Sequence, residues 1–274
     1  MMKNSSWRFL NTGYHDAFMN MAIDEVLSQK SVIKDNKPVF RIYAWRPYAI
    51  SIGYNQNEND IDLEKCDKDN IDVVRRPTGG RAIFHAEEVT YSVMLPSSSP
   101  LFAKDTLTLY NIISEGLVEG LQMVGIKAEL VKRATDTPLT MNTNIPCFSS
   151  AAKYEIAAQN KKLVGSAQRR YQHSVLQHGS ILVGKEHLRL GEYIVKLKGK
   201  NVDIFRKFME HKTISISEIT KTVKKYEEII WGIKHGFQQK LGIQFLEGQL
   251  TPPEIQEAKK LTDKYKKIWR KKDD

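Results

Sequence analysis

Cysteine is scarce in this chain: two in 274 residues, Cys66 and Cys147. Two thiols are too few for a disulfide framework or a cysteine-based zinc site, so each is read as a free thiol in a reducing compartment. No apolar run approaches the ~18–20 residues that cross a bilayer. The opening residues Met1 to Trp7 lack the apolar core of a signal peptide. These absences lead us to expect a cytoplasmic protein with no membrane partner. The seven histidines fall without His-x-x-x-His or carboxylate spacing, which leaves no metal site. Neither a G-x-x-x-x-G-K-S/T loop nor a G-x-G-x-x-G fingerprint occurs, and no cofactor is expected.

Basic residues exceed acidic ones by ten, yet Lys259 to Asp274 alone carries eight basic against three acidic residues, half of the excess. No aromatic-interleaved basic motif accompanies it, so nucleic acid is not the expected partner. A basic surface equally steers an acidic protein.

The most informative stretch is Arg75-Arg76-Pro77-Thr78-Gly79-Gly80-Arg81-Ala82-Ile83-Phe84-His85. A strand ending Ile71-Asp72-Val73-Val74 delivers two arginines into a Pro-Thr-Gly-Gly turn, after which β-prone residues resume. Paired glycines let backbone N–H groups approach a ligand without a Cβ in the way, and guanidiniums add donor forks. Such a strand–loop–strand suits an acyl carbonyl, a carboxylate or a phosphate. On residue types alone, a Gly-Gly hairpin with solvated arginines stands equally open.

Met19, Ala22, Ile23, Val26 and Leu27 recur at helical spacing and predict a first helix over about 15–29. Val39 to Trp45 and Ala49 to Gly53 read as strands, 60–69 as a short helix enclosing Cys66 as structural filler, and Val89 to Leu95 as a strand. A long helix follows, with Leu109, Ile113, Gly116, Leu117, Gly120 and Leu121 on one face and Gly125 as its stop. After a strand from Lys127, residues 134–146 read as an aperiodic loop leading to Cys147. Segments 154–158, 163–168 and 175–183 are strands at hairpin spacing. Ile229, Ile233, Phe237 and Leu241 mark a helix stopped at Gly242, and Thr251-Pro252-Pro253-Glu254 opens a last one. Strands and helices interleave without strict alternation. The fold class expected is α+β, a mixed central sheet flanked by helices.

Cys147 is the strongest candidate for chemistry, because a thiolate accepts acyl groups and the resulting thioester reacts with amines. A lone cysteine is more often a small buried hydrophobe. Lys162 enters a strand that runs into Gly165-Ser166-Ala167, so an ammonium could face a cleft floored by small side chains and steady an oxyanion; as one of a Lys-Lys pair it could equally be solvated. His178 and Gly179, like His85, suit either a site or a satisfied position within a sheet.

Taken together, these segments resemble the lipoate–protein ligase/biotin ligase superfamily from Trp7 to about Gly248. The resemblance rests on Asp24-Glu25, Gly53-Tyr54-Asn55-Gln56, the 75–81 segment and Thr90-Tyr91-Ser92-Val93. Within it, Cys147-Phe148, Lys162 to Arg169 and Leu176 to Leu182 are similar to cysteine-dependent octanoyltransferases. The resemblance implies a lipoate/biotin ligase-like catalytic domain over 1–248, followed by a basic C-terminal helix over 249–274. It also implies a two-step transfer: octanoyl passes from octanoyl-acyl carrier protein to Cys147 and then to a lysine of the glycine cleavage H protein or a lipoyl domain. Lys162 would orient the acyl carbonyl. Arg75, Arg76, Thr78, Gly79, Gly80, His85, Gly165, Ser166, Ala167, His178 and Gly179 would bind the acyl group. Thioester exchange is near-neutral and amide formation from a thioester is downhill, so neither ATP nor a metal is required.

Two departures stand out. Arg81 occupies the place of a third glycine in the ligases, and Ala86 follows His85 where aspartate is usual. Ala86 puts a carboxylate contact near the loop in doubt. The alternative is an ATP-dependent lipoate–protein ligase that makes a lipoyl-adenylate. The 26 residues after Gly248 are too few for the extra domain many such ligases carry. A nucleic-acid or carrier-binding module with a decayed site is a further alternative.

Overall fold

The computed structural model describes residues 5–132, 154–197, 199–222 and 224–267. Its strands in chain order are β1 Ser5–His15, β2 Val39–Trp45, β3 Ala49–Ile52, β4 Asp72–Arg75, β5 Ile83–His85, β6 Glu88–Pro96, β7 Glu129–Lys132, β8 Tyr154–Ala158, β9 Lys161–Arg170, β10 Ser174–Leu182 and β11 Ile243–Gly248. The α-helices are α1 Ala17–Val26, α2 Val32–Asp35, α3 Leu63–Lys68, α4 Thr106–Met123, α5 Lys200–Lys212, α6 Ile216–Thr220, α7 Tyr226–Leu241 and α8 Pro252–Tyr265. Among these residues no helix is long and apolar enough to cross a membrane.

Eight strands form one mixed sheet in the order β11-β1-β2-β6-β10-β9-β8-β7, and β4-β3-β5 form a second, small sheet. The first three strands of the large sheet run parallel, and the remaining pairs are antiparallel. The α+β architecture expected from the sequence is the one observed.

The central strands β2, β6 and β10 are buried on both faces, whereas the outer strands are partly exposed. On one face Trp7, Phe40, Tyr91 and Val93 pack against Leu109, Ile113 and Leu117 of α4 and Ile233 and Phe237 of α7. These two helices touch backbone to backbone: a Cβ on Gly236 would lie 2.2 Å from the Gly120 nitrogen. On the other face Leu10, Tyr43, Met94 and Leu176 meet Phe18, Met21, Ala22 and Leu27.

The first helix ends earlier than its periodicity predicts. It gives way at Leu27 to a π turn through Ser31. Neither β1 nor β11 is signalled by the sequence: β1 is broken by Asn11-Thr12-Gly13, and β11 buries only Ile243 and Phe245. The α8 cap reads as predicted, with Thr251 and Glu254 forming a reciprocal capping box and the prolines in the first turn. This helix lies on α1, held by Arg8–Glu254 at 2.7 Å and by Lys264 and Tyr265 on Glu25.

Candidate active site

The Gly-Gly segment is not a hairpin. β4 and β5 pair with opposite sides of β3, one parallel and one antiparallel, so the connection between them crosses the end of β3. The crossing is tight. Arg76 N–H donates to the Ile52 carbonyl at 3.0 Å, and Tyr54 N–H donates to the Thr78 carbonyl at 2.9 Å. At Gly53 a Cβ would lie 1.9 Å from the Gly80 oxygen, and Gly80 adopts φ +98°, so both positions require glycine.

The arginines build this loop rather than offer open forks. Arg75 Nη1 donates to the carbonyls of Gly53, Tyr54 and Gln56, and Nη2 meets Glu58 at 3.1 Å. Buried Arg76 donates to the Ser51 carbonyl and hydroxyl and to the carbonyls of Gly79 and Arg81. Burial lowers its pKa to about 10, which leaves it charged at neutral pH.

Beneath the loop lies a cavity of about 430 Å3, within the range of small-molecule sites. Of the residues expected to bind the acyl group, Arg76, Gly79, Gly80, His85, Gly165, Ser166, Ala167, His178 and Gly179 line it, as does Lys162. Arg75 does not; it faces a groove on the opposite side of the loop. Thr78 lies behind the wall, 2.7 Å from His178 Nε2.

Strand alternation explains why so many polar groups converge here. The register places Arg41, Ser92, His178 and Ala167 in one row across β2, β6, β10 and β9, with Tyr43, Thr90, Ser180 and Gly165 in the next. These rows share the face toward α1. Ser166 is turned to the α4 side, where it accepts from the Tyr91 hydroxyl at 2.8 Å. Burial raises the pKa of both Tyr91 and Tyr110, the latter to about 12.

Two buried relays tie the rows to the loop. In the first, Asp24 accepts from Arg41 Nη1 at 2.7 Å, from Tyr43 and Ser92 at 3.0 Å, and from His178 Nδ1 at 3.4 Å. Burial opposes ionisation of Asp24, but Arg41 and His178 outweigh it and hold the carboxyl below its ordinary range. Burial also lowers the pKa of His178, so its neutral ring accepts the Thr78 proton at Nε2. In the second relay Arg76 donates to Ser51 Oγ, Ser51 Oγ is hydrogen-bonded to His85 Nε2 at 2.7 Å, and His85 Nδ1 to Glu88 Oε1 at 2.8 Å. Arginine only donates, so Ser51 Oγ accepts from Arg76, while the sense of the Ser51–His85 bond follows the imidazole tautomer. His85 stacks on Trp45 at 4.1 Å. A carboxylate does meet His85 beside the loop, from Glu88 rather than from position 86. Burial opposes ionisation of Glu88, but His85 and the Ser180 and Thr90 hydroxyls hold it below its ordinary range.

At the β9 side of the cavity Lys162 Nζ meets Glu155 Oε1 at 2.8 Å, both largely buried. Cys147 and the predicted 134–146 loop lie outside the described residues. The strands that flank this segment are neighbours, with Lys132 paired to Tyr154. Cys66 is fully buried beneath the small sheet, in keeping with a filler role.

The sequence alone does not reveal the buried hydrogen-bonding positions of Arg41, Ser51, Glu88 and Ser180, and offers Asp24 only as part of a resemblance. Arg41 carried a signal: it is a lone charge within an otherwise apolar strand, on the same alternation as Tyr43.

The site is a largely apolar pocket, open on one side, walled by polar relays and edged by a largely buried lysine. A family model described as the lipoyl protein ligase A/B catalytic domain matches residues 16–238. A relative from Clostridioides difficile named "Octanoyltransferase LipM" is 37% identical over 266 residues, 96% of this chain and 97% of the relative. The Bacillus subtilis protein of the same name is 31% identical, covering 93% of each. Among solved structures, the bi-partite lipoate protein ligase of Thermoplasma acidophilum shares the fold with TM-score 0.77 and 23% identity, covering 95% of this chain and 93% of that one. A lipoate-protein ligase A bound with ATP gives 0.73 at 25% identity, covering 96% and 95%. This chain belongs to the lipoyl protein ligase A/B catalytic-domain family.

Proposed function

We propose that this chain is an octanoyltransferase of protein lipoylation. It takes octanoyl from octanoyl-acyl carrier protein onto Cys147 and passes it to a lysine of the glycine cleavage H protein or a lipoyl domain. The observation that carries the reading is the cavity's direction. It crosses from Lys162 on β9 to Tyr43 and Trp45 on β2, three strand spacings, or about 14 Å. That is the shape for an extended medium chain with its carbonyl at the β9 side. Burying six methylenes contributes about 5 kcal/mol, which holds the chain while its head group reacts.

Cys147 stands seven residues before Tyr154 in the chain, and the next residue, Glu155, pairs with Lys162. In the first step the Cys147 thiolate attacks the donor thioester carbonyl, and the carrier's thiolate leaves with the bonding pair. In the second, the acceptor's neutral amine attacks the Cys147 thioester. Its proton is lost, the amide forms, and the Cys147 thiolate is regenerated. Lys162, held by Glu155, donates to the carbonyl oxygen as negative charge develops in each step. The loop of Thr78, Gly79 and Gly80, backed by Arg76, His85 and His178, closes the wall along the chain together with Gly165, Ser166, Ala167 and Gly179. In this reading residues 1–248 form the acyltransferase domain and 249–274 its basic C-terminal helix.

Intact-protein mass after mixing with octanoyl-acyl carrier protein alone tests it. One added octanoyl group, absent in Cys147→Ala, is expected. Labelling that requires ATP and free acid and persists in Cys147→Ala would instead show a lipoate–protein ligase.

A further inference from the structure

On the far side of the Gly-Gly loop lies a second cavity, of about 590 Å3, bounded by Tyr54, Arg75, Pro77, Arg169, Tyr171 and the end of α8. Arg76 belongs to the walls of both cavities. The groove's two carboxylates are engaged: Glu58 with Arg75, and Glu25 with Lys264 at 2.7 Å. Among the described residues, Arg76, Arg169 and Lys267 then remain in its wall with no carboxylate partner. The groove therefore carries a surplus of positive charge.

Arg169 is already in place for an anion. Its Nη1 donates to the Pro77 carbonyl at 2.7 Å, and its guanidinium carbon lies 4.4 Å from the Tyr54 ring centre and 5.1 Å from that of Tyr171. Held between two rings, the guanidinium keeps its remaining N–H groups available and loses little freedom on binding. Arg169 directly follows Gln168, the last β9 residue lining the acyl cavity. From Lys162 to Arg169 the strand backbone spans roughly 24 Å, with Lys162 lining the acyl cavity and Arg169 the groove. A linear arm with two amide units between its sulfur and its phosphate, met at each end by a long basic side chain, matches that span. Between them stand Arg76, shared by both walls, and the exposed Gly79–Gly80 rim.

We propose that this groove binds the phosphate of the acyl donor's pantetheine arm, with Arg169 and Lys267 as its charged contacts. The proposal rests on the transferase reading. The acceptor is the poorer occupant, because the lysine ammonium it presents is repelled by the same surplus charge.

The test is competition against acylation of the full-length chain by octanoyl-acyl carrier protein, read by intact-protein mass. Pantetheine and 4′-phosphopantetheine are the competitors. The phosphorylated arm is expected to inhibit about tenfold more strongly, as one or two charge-assisted bonds provide. In Arg169→Gln and in Lys267→Glu that ratio is expected to fall toward one. Because the ratio is internal to each protein, partial unfolding does not mimic it, and Lys267 is exposed. Equal inhibition by both competitors, no inhibition by either, or a ratio unchanged in both variants overturns the proposal. So does a defect confined to the acceptor step. If the carrier substrate never acylates the protein but ATP with free acid does, the transferase reading fails instead.

Discussion

Thr78 Oγ1 lies 2.7 Å from His178 Nε2 and joins the middle of the Gly-Gly loop to β10, one hundred residues away in sequence. Both groups are buried, so removing the hydroxyl leaves an imidazole nitrogen without a partner. Thr78→Val is expected to cost about 1–3 kcal/mol, read from urea denaturation. The donor KM is expected to rise more than kcat falls, because the loop rather than the reacting atoms is disturbed. Thr78→Ser should retain most of both. An unchanged KM in the valine variant contradicts this role.

The acid response of stability follows from which groups are shifted and in which direction. Burial lowers the pKa of His178 and His187 from the ordinary 6.5. Below pH 6.5 the unfolded chain therefore binds protons that the folded chain refuses, and stability falls as pH falls. Asp24 and Glu88 lie below their ordinary 3.8 and 4.5. Their contribution is full above those values and is lost as pH drops through the depressed ones. Urea midpoints are expected to be level from pH 7 to 8 and then to decline in two stages, below about 6.5 and below about 4. A midpoint that rises on acidification from pH 6.5 to 5 excludes this account.

Ser51 is the pivot of the second relay. It accepts from Arg76 and is hydrogen-bonded to His85 Nε2, so Ser51→Ala strands a buried guanidinium N–H and a ring nitrogen at once. A loss of about 2 kcal/mol or more is expected from thermal or urea unfolding, well beyond what one small side chain accounts for. Loss of less than half a kilocalorie would mean water replaces the hydroxyl.

Glu155 holds Lys162 in place at 2.8 Å. In Glu155→Gln a neutral amide replaces the charged partner, which weakens the hold on Lys162, and the octanoyl transfer rate is expected to fall at least tenfold. Lys162→Ala should fall further, with cavity binding of octanoate retained in both. Equal rates in Glu155→Gln and the unsubstituted chain remove the positioning role.

Much of this architecture was legible locally. The bounds of β2 match the apolar run Val39 to Trp45, and the helix stops at Gly125 and Gly242 coincide with positive φ. The Thr251 cap was equally plain. What the sequence withheld was the path between elements. Residues 75–85 read equally as a hairpin because nothing local records that β3 intervenes between β4 and β5. Asp24 and His178, or Arg76 and Ser51, meet only after the sheet has assembled, so their pairing has no period to betray it. The arginines misled in a specific way. Arg75 and Arg76 were expected to face a ligand; Arg76 does line the cavity, but both spend most of their donors on backbone carbonyls, Arg75 on the 53–56 turn and Arg76 on Ser51, Gly79 and Arg81.

Gly53 is where that hidden crossing is most exposed to experiment. The Gly80 oxygen occupies the space of its missing side chain at 1.9 Å, and the atom in the way is backbone, which cannot rotate aside. Gly53→Ala must therefore displace the Gly79–Gly80 rim or pull Tyr54 away from the Thr78 carbonyl. Overpacking of this kind costs about 1–3 kcal/mol. The displaced rim also enlarges the acyl cavity, so the donor KM should rise severalfold. Gly79→Ala makes the control, since nothing lies within 4 Å of a Cβ placed there. Its melting temperature is expected to stay close to that of the unsubstituted chain while that of Gly53→Ala drops by several degrees. A hairpin would have tolerated alanine at Gly53 and reversed that order.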